Sequence, residues 1–94
     1  NSVTIQTVNA PILDRLLPAE WPCIVKVDVE GLEYQVITEL TKSHSFRAVI
    51  GIFYEIDERW SDPQEIRTLL EAHGFLRFQV FGRGHHYDVY ATRG

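Results

Sequence analysis

Three carboxylates crowd around one glycine in Lys26-Val-Asp28-Val-Glu30-Gly31-Leu-Glu33, and a fourth, Glu55, ends the next apolar run. Ionised carboxylates accept hydrogen bonds from hydroxyl groups and take up protons as general bases. Asp28 and Glu30 close the apolar stretch that starts at Cys23, and Glu55 closes Ala48-Val-Ile-Gly-Ile-Phe-Tyr. Short, nearly continuous apolar runs of this kind suit strands covered on both faces, as in parallel sheets. Ligands bind such sheets beyond the carboxyl ends of the strands. If the two runs are neighbouring strands, about 4.8 Å apart, their acids share one crevice at that end.

Each of these residues also has a plainer reading. Asp28 or Glu30 either contacts a ligand or caps the helix that begins near Gly31. Glu33, one turn in, either faces the crevice or favours the positive end of that helix. Lys26 alternates with Asp28 and shares its face, so it forms an ion pair there or touches substrate. Gly31 serves the turn, because glycine lets the backbone bend where other residues cannot. Oxygen ligands also suit a divalent cation; no metal site is assigned.

Other polar residues carry less. Adjacent strand residues point to opposite faces, so His85 and His86 are poorly placed to share an ion and read as part of a surface hairpin. His44 lies in a polar connector, and His73 falls near a helix C-terminus. Ser43 and Ser45 flank His44 without the glycine elbow of a hydrolase nucleophile. Cys23 is the only cysteine. It excludes an internal disulfide, reads as a buried thiol, and is compatible with a cytoplasmic location. Trp60 is expected to pack on the first turn of the helix that follows it, and Phe53 and Tyr54 to point to opposite faces of a sheet.

Periodicity supplies the elements that must hold the acids. Val3 to Val8 alternates like a half-exposed strand, and Leu13, Leu16 and Leu17 share a helical face ended by Pro18. Cys23 to Val29 reads as a strand, and Gly31 to Lys42 as a helix with Leu32, Val36, Ile37 and Leu40 inward. A third strand covers Ala48 to Ile56. Asp62, Pro63 and Glu65 announce a helix with a cap, a first-turn proline and a capping box, and Gly74 ends it. Phe75 to Phe81 and Tyr87 to Ala91 are strands joined by a Gly82-Arg-Gly84 turn. Successive strand-helix-strand units imply an α/β fold with a mostly parallel sheet and an antiparallel terminal hairpin.

The 94 residues make one domain or a fragment of one, with 45% hydrophobic and 23% charged residues, as in a soluble globular chain. Nine basic residues against thirteen acidic give a net charge of −4, with no basic stripe for nucleic acid. The apolar runs are far shorter than the roughly 20 residues of a membrane helix.

The Lys26-x-Asp28-x-Glu30-Gly31-x-Glu33 motif closely resembles the signature of the FkbM-type methyltransferases. The likeness is strongest over Ile24 to Leu40 and continues more weakly through Val49 to Glu55, Ile66 to His73 and Gly74 to Phe78. It implies a doubly wound, Rossmann-like sheet and transfer of a methyl group from S-adenosylmethionine to a hydroxyl oxygen of a sugar or natural product. By the same resemblance, Asp28 and then Glu30 are the catalytic candidates, with Lys26, Glu33 and Glu55 on the acceptor side. Methyltransferases of this class carry a glycine-rich loop after their first strand, and nothing here matches it. The chain therefore resembles the acceptor-side, C-terminal half of such an enzyme, inactive alone and partnered by the missing N-terminal half. The alternative is a non-catalytic module that associates through an exposed sheet edge, notably that of its first strand.

Overall fold

The computed structural model describes residues 2–5, 22–29 and 31–94. The expected helix around Leu13 to Leu17, the far end of the first strand, and Glu30 lie outside those residues. Among the described residues five strands form one sheet: β1 (Ser2–Ile5), β2 (Cys23–Val27), β3 (Val49–Asp57), β4 (Phe75–Arg83) and β5 (His86–Arg93). Between them run α1 (Glu33–Thr41), a 3₁₀ helix (His44–Ala48) and α2 (Pro63–Ala72). The α/β class and the terminal hairpin are as expected.

The sheet order is β1-β2-β3-β5-β4. β2 pairs in parallel with β1 and with β3, while β5 pairs antiparallel with β3 and with β4. By pairing the sheet is mixed, with two parallel and two antiparallel ladders, while in direction β1, β2, β3 and β4 run one way and β5 alone runs against them. The cause is the place of β5: the hairpin folds its second strand inward, between β3 and β4, so β4 never reaches β3.

Register lines up the core in rows. Val25, Ile52, Ala91 and Phe78 face one another across four strands, and Val27, Tyr54, Val89 and Val80 form the next row. The same side of the sheet receives α1 through Val36, Ile37 and Leu40 and α2 through Ile66 and Leu70, all fully buried. Spacings of three and four residues put each helical set on one face. Cys23 is buried in this core, and burial raises its thiol pKa.

The opposite face carries Lys26, Phe53, Tyr90 and Gln79 in one row. Phe53 stacks near Phe81 and tilts against Tyr90, with ring centres 6.4 and 6.3 Å away. Gly51 makes room for this arrangement, since a Cβ there would lie 2.6 Å from the Tyr90 hydroxyl.

Local signals behave largely as the sequence predicts. Asp62 caps α2, its Oδ1 accepting from the Gln64 N–H at 2.9 Å. Pro63 follows in the first turn, where its missing N–H costs nothing. Among the described residues no return bond from Glu65 completes the capping box. The hairpin turn is Gly84-His85 rather than Gly82 to Gly84, and both strands run further than the sequence suggests. Arg93 fixes the opposite end of the fold. Its guanidinium donates to the carbonyls of Val49 (2.8 Å), His73 (2.9 Å) and Phe46 (3.1 Å), and lies over the Phe75 ring at 4.4 Å.

Candidate functional site

β2 and β3 are adjacent and parallel, with Val27 opposite Tyr54, so their carboxyl ends open side by side. Asp28 continues β2 on the exposed side. α1 then begins after a sharp turn in which the Leu32 N–H donates to the Val29 carbonyl at 3.0 Å. Gly31 makes the turn possible, with φ +78°, a left-handed conformation closed to most residues. The residue at the N-cap is Leu32, which offers no side-chain bond, so Asp28 does not cap this helix.

Glu33 meets both of its expected roles. It opens α1, and its carboxylate accepts from its own N–H, from that of Gly31 and from Ser61 Oγ at 3.0 Å. It also lines the crevice. Only 3% exposed, Glu33 has its pKa raised by burial, against the opposing pull of those hydrogen bonds.

Glu55 stands at the end of β3, directly across from Asp88 of β5. Two acids so placed repel. His86 relieves the pair, its Nε2 lying 2.9 Å from Glu55 Oε1, and this bond raises the imidazole pKa. Two residues on, Asp57 takes both arms of Arg59, at 3.0 Å from Nε and 2.6 Å from Nη2. That bidentate bond lowers the Asp57 pKa to about 2. Asp57 also organises the loop beyond β3: its carbonyl accepts from the N–H groups of Trp60 (2.9 Å) and Ser61 (3.0 Å). The loop in turn carries Ser61 to Glu33 and sets Trp60 beside Gly31.

A crevice of about 90 Å³ results, lined by Gly31, Glu33, Glu55, Asp57, Arg59 and Trp60. In it Asp57 is paired with Arg59, Glu55 is bonded to His86, and burial pushes the Glu33 carboxyl pKa up. The carboxylate oxygens of such a site can accept hydrogen bonds from neutral hydroxyls. Of the residues singled out in the sequence, Glu33 and Glu55 come together here. Asp28 and Lys26 are exposed on the neighbouring strand and do not line the crevice, and Lys26 forms no ion pair with Asp28.

Asp57, Arg59, Ser61 and His86 escape a reading of the sequence. Arg59 and Ser61 lie in a loop without periodicity, and His86 reaches Glu55 only because β5 inserts beside β3. Trp60 differs from expectation too: it is 68% exposed rather than packed on α2, with the Arg59 guanidinium 5.8 Å from its ring centre. Among the described residues no cluster of three or more His, Cys, Asp or Glu is arranged to hold a metal ion.

The sequence model of the Methyltransferase FkbM domain family matches residues 1–77, which include β1 to β3, α1, α2 and the acidic crevice. The chain belongs to the FkbM methyltransferase family. No curated protein and no solved structure matched it. FkbM methyltransferases use S-adenosylmethionine, and the crevice of this FkbM domain does not fit that cofactor. Pockets for ligands of such size occupy roughly 300–1,000 Å³, and among the described residues the crevice lining offers no glycine-rich loop.

Proposed function

We propose that this chain is the acceptor-side part of an S-adenosylmethionine-dependent O-methyltransferase that acts on a hydroxyl of a sugar or natural product. The observation that carries the reading is the crevice lined by Glu33, Glu55 and Asp57, with Ser61, His86 and Arg59 as their partners, at the carboxyl ends of two parallel strands within the residues matched by the family. The sheet is then the C-terminal half of a doubly wound methyltransferase sheet, with β5 as its antiparallel member.

In this reading the acceptor's hydroxyls donate to Glu55 and Glu33, which orient the reacting oxygen. Asp28, exposed just beyond the end of β2, takes up the hydroxyl proton as the oxygen is methylated, with Glu30 as the second candidate and Lys26 beside the acceptor. Holding the acceptor in a reactive geometry accounts for most of the rate enhancement in such a transfer, and the base for about 10²–10⁴-fold more. The cofactor is held outside these residues, by the N-terminal half.

The test is turnover by a protein carrying both halves. Asp28→Asn should lower kcat by about 10²-fold or more with KM little changed, whereas Glu55→Gln should act mainly on KM. Wild-type kcat/KM in both variants would refute the assignment. A second reading, a module that pairs through an exposed sheet edge, has one observation in its favour: β4 is an edge strand with large apolar side chains in solvent.

A further inference from the structure

Edge strands present unpaired backbone N–H and C=O groups, and proteins that remain monomeric blunt them with lysine, proline, bulges or brevity. β4 has few of these protections. It runs nine residues, Phe-Leu-Arg-Phe-Gln-Val-Phe-Gly-Arg, without lysine or proline. Its one irregularity lies at the start, between Phe75 and Arg77, and from there to Arg83 it pairs regularly with β5. Leu76, Val80 and Phe81 are 60%, 60% and 51% exposed, a concentration of large apolar surface on one edge. Most of this strand lies beyond the residues that the family shares.

We propose that β4 joins two copies of this chain, pairing antiparallel with itself about Gln79 so that one sheet runs through both molecules. The strand's own sequence argues for a second copy as the occupant. With Gln79 facing its equivalent, Arg77 lies opposite the second copy's Phe81, a favourable cation–aromatic pair. Phe78 then meets the second copy's Val80 on the helix side, which extends the core row of Ile52, Ala91 and Phe78 across the boundary. The open apolar groove of about 180 Å³ beside Tyr54, Phe78 and Val80 is covered by the same contact.

Neighbouring registers are worse. Centring on Val80 sets Arg77 against the second copy's Arg83, and like charges directly opposite are destabilising. Centring on Phe78 runs the ladder off the start of β4 towards the helix end at His73.

Sedimentation velocity across a wide concentration range tests this on the unmodified chain. A reversible monomer–dimer equilibrium is expected, and Val80→Lys should raise its dissociation constant about tenfold or more. Val80 is exposed, so an unchanged thermal midpoint in the variant verifies that folding is intact. Ile50→Lys, also exposed but on β3, should leave the equilibrium unchanged. The register has its own test. Facing residues in an antiparallel ladder have Cα atoms about 4.5–5.5 Å apart, within disulfide reach. Gln79→Cys should therefore oxidise to a covalent dimer, and the native Cys23 is too buried to interfere. A monomer at every concentration, or a dimer indifferent to Val80→Lys, would overturn the proposal. Failure of Gln79→Cys to cross-link would overturn the register.

Discussion

Replacing Gly31 by alanine or valine isolates the cost of the turn that joins β2 to α1. A Cβ at this position would have Trp60 Cβ as its nearest neighbour at 3.7 Å, an ordinary contact. For alanine, steric collision is therefore excluded as the cause of a loss, and the backbone conformation at φ +78° is left. Holding an L-residue in the left-handed region costs about 1–2 kcal/mol, and a β-branched side chain stands at the upper end. For a chain of this size such a change lowers the thermal midpoint by roughly 4–16 °C. In urea, with a slope near 1 kcal/mol/M, the midpoint falls by about 1–2 M. Gly31→Asn should lose least of the three, because asparagine tolerates this conformation. The assay is urea unfolding followed by circular dichroism, with slopes compared so that a shifted midpoint reports stability alone. Coincident midpoints for Gly31→Val and the parent would refute the claim that the turn requires a left-handed residue.

Three further outcomes follow from the same geometry. Burial raises the Glu33 pKa, so the folded state binds this proton more tightly than the unfolded chain. Its contribution is fully present below the unfolded value near 4.5 and is lost as pH rises through the folded value. Glu33→Gln should therefore be more stable than the parent at pH 7, with the difference vanishing in acid, as thermal melts over pH will show. His86, also raised, favours the folded state below its unfolded value near 6.5 and loses that contribution as pH rises through its folded pKa. Glu55→Gln should return the His86 titration, followed by NMR, towards 6.5. Arg93→Ala leaves three carbonyls without their donor, and chemical denaturation should show a loss of about 2–4 kcal/mol.

Legibility in the sequence followed the range of the forces involved. The strand-to-helix turn at Gly31, the cap at Asp62 and the inward stripe of α1, apart from Leu32, which stands exposed at the N-cap, depend on neighbours a few residues away, and the chain displays them directly. The motif from Lys26 to Glu33 carried the family as well. The inward fold of β5 did not show, because strand order is decided by which faces bury together across the whole sheet. With it went His86, which reaches Glu55 only through that order. Asp57, Arg59 and Ser61 were hidden for another reason. They act through a loop whose form comes from a few hydrogen bonds, and loops of this kind have no period to read. Proximity to a helix start usually means packing, whereas the Asp57-centred turn sets Trp60 against the crevice, largely in solvent.

The central claim is that this chain supplies the acceptor side of a methyltransferase whose cofactor is held elsewhere. Calorimetric titration of S-adenosylmethionine and its demethylated product tests it most directly, first into the chain alone and then into a protein that carries it together with a glycine-rich cofactor half. Binding only by the second is the predicted result. Binding by the chain alone would contradict the placement of the cofactor, and binding by neither would contradict the enzyme itself.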